Sequence, residues 1–170
     1  IQRSLDIGGR GILVPLVKTV EEAQAVVDAT RYPPVGKRGF GPMRASDFYI
    51  NTTEYINSID DNLLIALIVE TKELVDNMEA IAAIDGIDGI FIGTVDLSVS
   101  LGAPGPGAPA VLEAVDEIAR AACEEGCPVG VFANSAEQVS HFAEIGITLF
   151  LMQSDHAFLR SGAAALVAMR

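Results

Sequence analysis

Five short apolar runs, each followed by a helical pattern, constrain this chain more than any other feature. They are Gly11–Val17, Leu63–Val69, Gly89–Gly93, Pro128–Phe132 and Thr148–Met152. Continuous Val/Ile/Leu runs of this length read as strands buried on both faces, the habit of parallel sheets. Between them lie helical patterns at about Val20–Thr30, Lys72–Ile84, Ala110–Glu125, Ala136–Glu144 and Ala157–Ala168, plus a short one at Thr53–Ser58. Thr19 precedes the first of these as a cap, with Glu21 and Glu22 in its opening turn. No two-residue turn joins successive strands, so the chain predicts about five β-α units of an α/β fold with parallel strands.

Residues 31–42, with Pro33, Pro34, Gly36, Gly39, Gly41 and Pro42, and the run Leu101–Pro109 are too rich in proline and glycine for regular structure. The opening residues Ile1–Gly9 read as a helix tail closed by Gly8 or Gly9. This start, without Met, suggests a chain that begins inside a domain. Five units fit either a small doubly wound sheet or part of an eight-unit barrel. The absence of Gly-x-Gly-x-x-Gly and of a P-loop weighs against nucleotide-binding open sheets.

With 170 residues, half of them apolar, the chain has material for one core, read as a single domain over residues 1–170. The net charge of −12 comes from scattered acids and disfavours nucleic acid and anionic membranes as partners. No run is long enough to span a bilayer and no signal-peptide pattern is visible. Cys123 and Cys127, spaced i, i+4 with no histidine beside them, are a poor zinc signal. Reduced thiols in a cytoplasmic protein are the expectation.

Two of the strands end in acids: Leu63-Leu-Ile-Ala-Leu-Ile-Val-Glu70 and Gly89-Ile-Phe-Ile-Gly-Thr-Val-Asp96. In parallel α/β folds the chemistry sits at the carboxyl ends of the strands, where Glu70 and Asp96 would converge. An all-oxygen pair suits a hard cation such as Mg²⁺ or Mn²⁺ better than zinc. Each acid could instead cap the helix that follows it, satisfying free amides at the positive end of the dipole.

Several segments resemble the HpcH/HpaI aldolases, metal-dependent (class II) pyruvate aldolases. They are Leu5-Asp-Ile-Gly8, Ile12-Leu-Val-Pro-Leu-Val17, Ala29-Thr-Arg-Tyr-Pro-Pro-Val-Gly-Lys-Arg-Gly39, Ile68-Val-Glu-Thr71 and Gly89-Ile-Phe-Ile-Gly-Thr-Val-Asp-Leu-Ser98. The resemblance implies a (β/α)₈ TIM-type barrel, of which this chain carries the last five units or so and lacks the N-terminal ones. It implies a divalent metal (Mg²⁺ or Mn²⁺, or Co²⁺) on Glu70 and Asp96. It also implies backbone amides around Gly93, Thr94, Val95 and Asp96 for the pyruvate carboxylate. Asp6 matches an acid that raises the basicity of a catalytic histidine across a subunit boundary. Phe132 matches an apolar position lining the aldehyde pocket; from the residues alone it is equally a core aromatic.

The activity so implied is cleavage of 4-hydroxy-2-oxo acids to pyruvate and an aldehyde, or the reverse. By the same resemblance the protein is a homo-oligomer, a hexamer that exchanges its final helix between neighbours. Two departures stand out. Ile68 occupies the place of a substrate-contacting glutamine, and Thr94-Val95 replaces Pro-Ala or Pro-Ser. The histidine and the enolate-stabilising arginine of the family belong to earlier strands, and neither His141 nor His156 matches the catalytic position. Lys18 follows a strand but shows no sign of the desolvation a Schiff-base lysine needs. Acyl-CoA ester lyases of the malyl- or citryl-CoA type and a catalytically silent metal- or carboxylate-binding homologue are the competing readings.

Overall fold

The computed structural model describes residues 1–168. Its elements run α1 (Gln2–Asp6), β1 (Gly11–Val14), α2 (Val20–Thr30), α3 (Thr52–Ser58), a short 3₁₀ turn (Asp60–Asn62), β2 (Leu64–Val69), α4 (Lys72–Val75), α5 (Met78–Ala82), β3 (Gly89–Ile92), α6 (Thr94–Ser100), α7 (Pro109–Glu124), β4 (Val129–Ala133), α8 (Ala136–Glu144), β5 (Leu149–Met152) and α9 (Asp155–Ala168). All five strands are parallel, in the order β1-β2-β3-β4-β5. A doubly wound sheet reverses its order at a switch point, whereas a barrel adds each strand beside the last. The unbroken order therefore decides between the two architectures: the chain forms a curled sheet of five (β/α)₈-barrel units.

Side-chain alternation divides the sheet into two faces. Ile65, Leu67, Val69, Ile90, Ile92, Val129 and Val131 form the main core with Leu74, Ile81, Val111, Val115 and Ile118 from the helices. The opposite face carries Leu13, Leu64, Leu149 and Leu151, all exposed. Gly130 belongs to this face: a Cβ there would come within 2.8 Å of Cδ2 of Phe91. In a closed barrel this face is the packed interior.

Helix ends follow their sequence signals. The side chains of Thr19, Thr71 and Ser135 each accept a backbone N–H two or three residues into α2, α4 and α8. Gly8, at φ +104°, closes α1 with Gly8 N–H donating to Leu5 O and Gly9 N–H to Ser4 O.

Three local differences from the sequence reading have clear causes. The helix expected over Lys72–Ile84 is two short helices, because the Asn77 side chain donates to Glu73 O and competes with the backbone ladder. The first strand stops at Val14, since Pro15 has no N–H and Leu16 takes φ +60°. A seven-residue helix, α6, follows β3 over Thr94–Ser100, residues to which the sequence patterns assign no helix of their own.

Candidate active site at the carboxyl ends of the strands

Glu70 follows the last residue of β2 and is 8% exposed. Its Oε1 accepts a 2.7 Å hydrogen bond from the backbone N–H of Leu16, just beyond β1. No Lys, Arg or His forms a salt bridge with it among the described residues. Glu70 does not cap a helix, because Thr71 caps α4. A buried carboxylate normally has a counter-charge or a metal, and Glu70 has one neutral donor.

Gly93 stands beside it at the end of β3. A Cβ on Gly93 would lie 3.1 Å from Ile68 Cγ2, 3.2 Å from Glu70 Cβ and 3.5 Å from Glu70 Oε2. Glycine lets β3 turn this close to the acid without pushing Ile68 or Glu70 aside. Gly93 is also the N-cap of α6 and has no side chain to satisfy the first amides. Thr94, Val95 and Asp96 form the opening turn of that helix, with Val95 and Asp96 exposed. Asp96 is not the N-cap of α6 but lies in its first turn, where a carboxylate also favours the positive end of the helix dipole.

The structure packs Ile68 and Glu70 against Gly93, and Gly93 leads into the turn of Thr94, Val95 and Asp96. A cleft of about 410 Å³ opens beside Gly93–Asp96, and Phe132, at 38% exposure, is one of its walls. Phe91, Leu112, Phe142, Asn134 and Gln138 complete that wall. Glu70 borders Gly93 outside the cleft.

Two oxygen side chains suit a hard cation that keeps several waters and takes its other ligands from substrate, the habit of Mg²⁺. No group of three or more His, Cys, Asp or Glu side chains gathers as a fuller cage among the described residues. Carboxylate oxygens of this kind suit a hard divalent ion and do not suit a structural zinc site.

Asp6 is not brought to this cluster. It ends α1, which leads into the amino end of β1, away from Glu70. There Arg38 Nη2 donates to Asp6 Oδ1 at 2.6 Å and to Tyr55 Oη at 3.1 Å, with the guanidinium over the Tyr32 ring at 4.6 Å. The Arg38 side chain is fully buried, and its Nε and Nη1 have no partner among the described residues. Burial works against its charge, but the Asp6 and Tyr55 partners outweigh burial and hold it above its ordinary pKa. Burial pushes the Tyr32 phenol above its usual range as well. Sequence reading passed over Arg38, which nothing local distinguishes from Arg31 and Lys37 in the same turn-rich segment.

His141 lies on α8 and His156 near the start of α9; both are exposed and neither lines the cleft. Lys18 is exposed. Cys123 and Cys127 are free, and burial raises the Cys127 thiol to about 11. No helix among the described residues is long and apolar enough to cross a membrane.

Parallel β-α units that gather carboxylates and free amides at the carboxyl ends of consecutive strands define a barrel-type enzyme site. The sequence profile described as HpcH/HpaI aldolase/citrate lyase matches residues 1–160, and the chain belongs to that family. It is 39% identical to the hydroxypyruvate/pyruvate aldolase of Cupriavidus necator over 99% of this chain and 63% of the relative. It is 36% identical to the 5-keto-4-deoxy-D-glucarate aldolase of Escherichia coli over 98% of this chain and 65% of the relative. The chain therefore spans a little under two thirds of these curated relatives. It also superposes on a HpcH/HpaI aldolase/citrate lyase family protein from Burkholderia cenocepacia J2315 with a TM-score of 0.92, at 32% identity over 99% of this chain and 68% of that one.

Proposed function

We propose that these five units hold the metal and the 2-oxo acid in a class II pyruvate aldolase, a cytoplasmic carbon–carbon lyase that cleaves 4-hydroxy-2-oxo acids to pyruvate and an aldehyde. Glu70 carries the reading: a buried acid with one neutral donor, packed against the glycine that starts the turn bearing Asp96. Glu70 and Asp96 would hold Mg²⁺, Mn²⁺ or Co²⁺. Such an ion, when bound, stabilises negative charge growing on the 2-oxo oxygen as a Lewis acid.

The chain's own residues bind and orient the substrate. The Thr94, Val95 and Asp96 amides donate to its carboxylate, and Gly93 leaves room for that approach. Ile68 presents an apolar wall in place of an amide, which narrows the polar contacts available to the 2-oxo acid. Phe132 flanks the departing aldehyde and excludes water from it.

Cleavage also needs a base for the C4 hydroxyl proton and a cation for the enolate oxygen. No His, Lys or Arg lines the cleft among the described residues. In this reading those groups come from chain segments or subunits outside the five units. Asp6, held by Arg38 at the opposite end of its own sheet, would serve a neighbouring subunit of a homo-oligomer, a hexamer by family likeness. Helix α9 supports assembly: none of its residues is buried, and Phe158, Leu159, Leu166 and Val167 are exposed.

The test is pyruvate release from a 4-hydroxy-2-oxo acid with and without Mg²⁺ or Mn²⁺, beside Glu70→Gln and Asp96→Asn. Metal-dependent release abolished by both changes supports the aldolase reading. Release that persists in chelator and in both variants refutes it. The cleft's lack of a proton-transfer side chain favours one alternative, a catalytically silent homologue. Metal binding that vanishes in both variants, with no release even when the segments that complete the barrel are supplied, would assign that alternative.

A further inference from the structure

We infer that Ser100 is a positioning residue for the metal site: its hydroxyl ties helix α6 to the loop after Glu70 and so fixes where Asp96 stands relative to that acid. This rests on the reading of Glu70 and Asp96 as metal ligands.

Helix α6 spans only Thr94–Ser100, seven residues and about 10 Å of axis. A helix this short takes its direction from its packing and its end contacts. Leu97 and Ser98 are buried and turn its inner face to the core. Val95 and Val99, four residues apart and exposed, occupy one flank; Asp96 and Ser100, also four apart, occupy the other. The Ser100 hydroxyl accepts the backbone N–H of Lys72 at 3.0 Å, across 28 residues of sequence. Lys72 opens α4 two residues after Glu70. This bond turns the Asp96 flank of α6 toward the β2–α4 loop and the Val95 flank away from it.

The two acid-bearing segments are thus joined at both ends of α6. At its start, Gly93 packs on Glu70, whose Cβ would lie 3.2 Å from a Cβ on the glycine. At its end, Ser100 holds Lys72. The first contact alone would let the helix swing about Gly93; the second, at the far end with Asp96 between, fixes its direction. Neither helix needs the bond for its own sake. Gly102, at φ +65°, ends α6: its N–H donates to Val99 O and the Ala103 N–H to Ser98 O. Thr71 starts α4, its Oγ1 accepting the Leu74 N–H at 3.3 Å. The Ser100–Lys72 bond is exposed, so water replaces it at little cost to stability. What the hydroxyl adds is a fixed relation between two segments that each carry an acid.

The experiment is Mn²⁺ titration of the native chain, Ser100→Ala, Ser100→Thr and Lys72→Pro, each beside its urea denaturation midpoint. Lys72→Pro deletes the donor where proline is tolerated: Lys72 is the first residue of α4, and Thr71 before it is extended at φ −129° and ψ 149°. It also removes an exposed ion pair with Asp76, which contributes little. Losing the Lys72 charge would by itself favour a bound cation, so weaker Mn²⁺ binding in this variant reports on the bond. Ser100→Ala and Lys72→Pro should each weaken Mn²⁺ by about 10-fold, as lost contacts behind metal ligands do, and the double variant should weaken it no further. Ser100→Thr keeps the hydroxyl and should bind as the native chain does. Urea midpoints should not fall, since the lost bond is exposed and alanine favours helix. Native affinity in Ser100→Ala or Lys72→Pro, or a loss that follows a lowered urea midpoint, would overturn the inference. Glu70→Gln and Asp96→Asn report on the reading beneath it. If these abolish binding while the Ser100 and Lys72 variants keep it, the metal pair stands and the role of Ser100 fails; if the native chain binds no Mn²⁺, both fail.

Discussion

The backbone N–H of Leu16 points at Oε1 of Glu70 from 2.7 Å, across 54 residues of sequence. Leu16 reaches that position with φ +60°, a left-handed backbone that branched and bulky residues rarely adopt. The bond occupies one carboxylate oxygen and leaves Oε2 on the Gly93 side. Leu16→Gly keeps the N–H and relaxes the backbone, so stability should stay within about 1 kcal/mol of native. Leu16→Pro removes the donor and forbids the angle. Mn²⁺ affinity should then fall by about 10- to 100-fold, as for other lost ligand-orienting contacts. Paired Mn²⁺ titrations of the two variants check this; equal affinity would mean that Leu16 does not orient Glu70.

Gly93→Ala tests the close packing at the same point. The new Cβ meets Ile68 Cγ2 at 3.1 Å and Glu70 Cβ at 3.2 Å, on and just beyond the preceding strand. Overpacking of this kind costs about 1–3 kcal/mol. Urea denaturation should show that loss together with weakened Mn²⁺ binding. The double variant Gly93→Ala, Ile68→Val should recover part of both.

The Asp6–Arg38 pair should respond unequally to its two deletions. Arg38 is fully buried, whereas the Asp6 side chain is 16% exposed. Asp6→Asn leaves a buried guanidinium without its counter-charge, a loss of about 3–5 kcal/mol. Arg38→Met leaves an acid that reaches water, so it should cost less. Chemical denaturation at neutral pH orders the two, and an equal loss would show that Asp6 is as poorly hydrated as its partner.

Cys127 provides a pH signature. Burial holds its folded thiol at about 11, above the ordinary value of 9.0. Between these values the unfolded chain loses the proton while the folded chain keeps it. The resulting stability is complete below about pH 9 and is lost as pH rises towards 11. Relative to Cys127→Ala, the native chain should therefore lose stability over that window. In the folded protein at pH 8 a thiol reagent should modify the exposed Cys123 well before the buried Cys127.

Several parts of the protein were readable from sequence alone because they depend on neighbours in the chain. Apolar runs placed every strand, and Thr19 and Gly8 marked helix ends through their own side-chain and backbone chemistry. Glu70 and Asp96 stood out because each follows a strand that could only be buried. Local reading went wrong at Asn77, whose side chain breaks a helix that periodicity favours, and left Thr94–Ser100 unassigned, where a glycine-capped helix has no capping side chain to see.

Tertiary structure alone decided the rest. The strand order that distinguishes a barrel from an open sheet is a pairing of segments far apart in sequence. The solitary state of Glu70, the burial of Arg38 against Asp6 and the meeting of Phe132 with Asn134 and Gln138 likewise depend on which side chains the fold brings together. Periodicity and capping act over a few residues, so the sequence itself determined the elements and the acids at their ends. The partners of those acids, and so the chemistry open to them, were set by contacts across tens of residues.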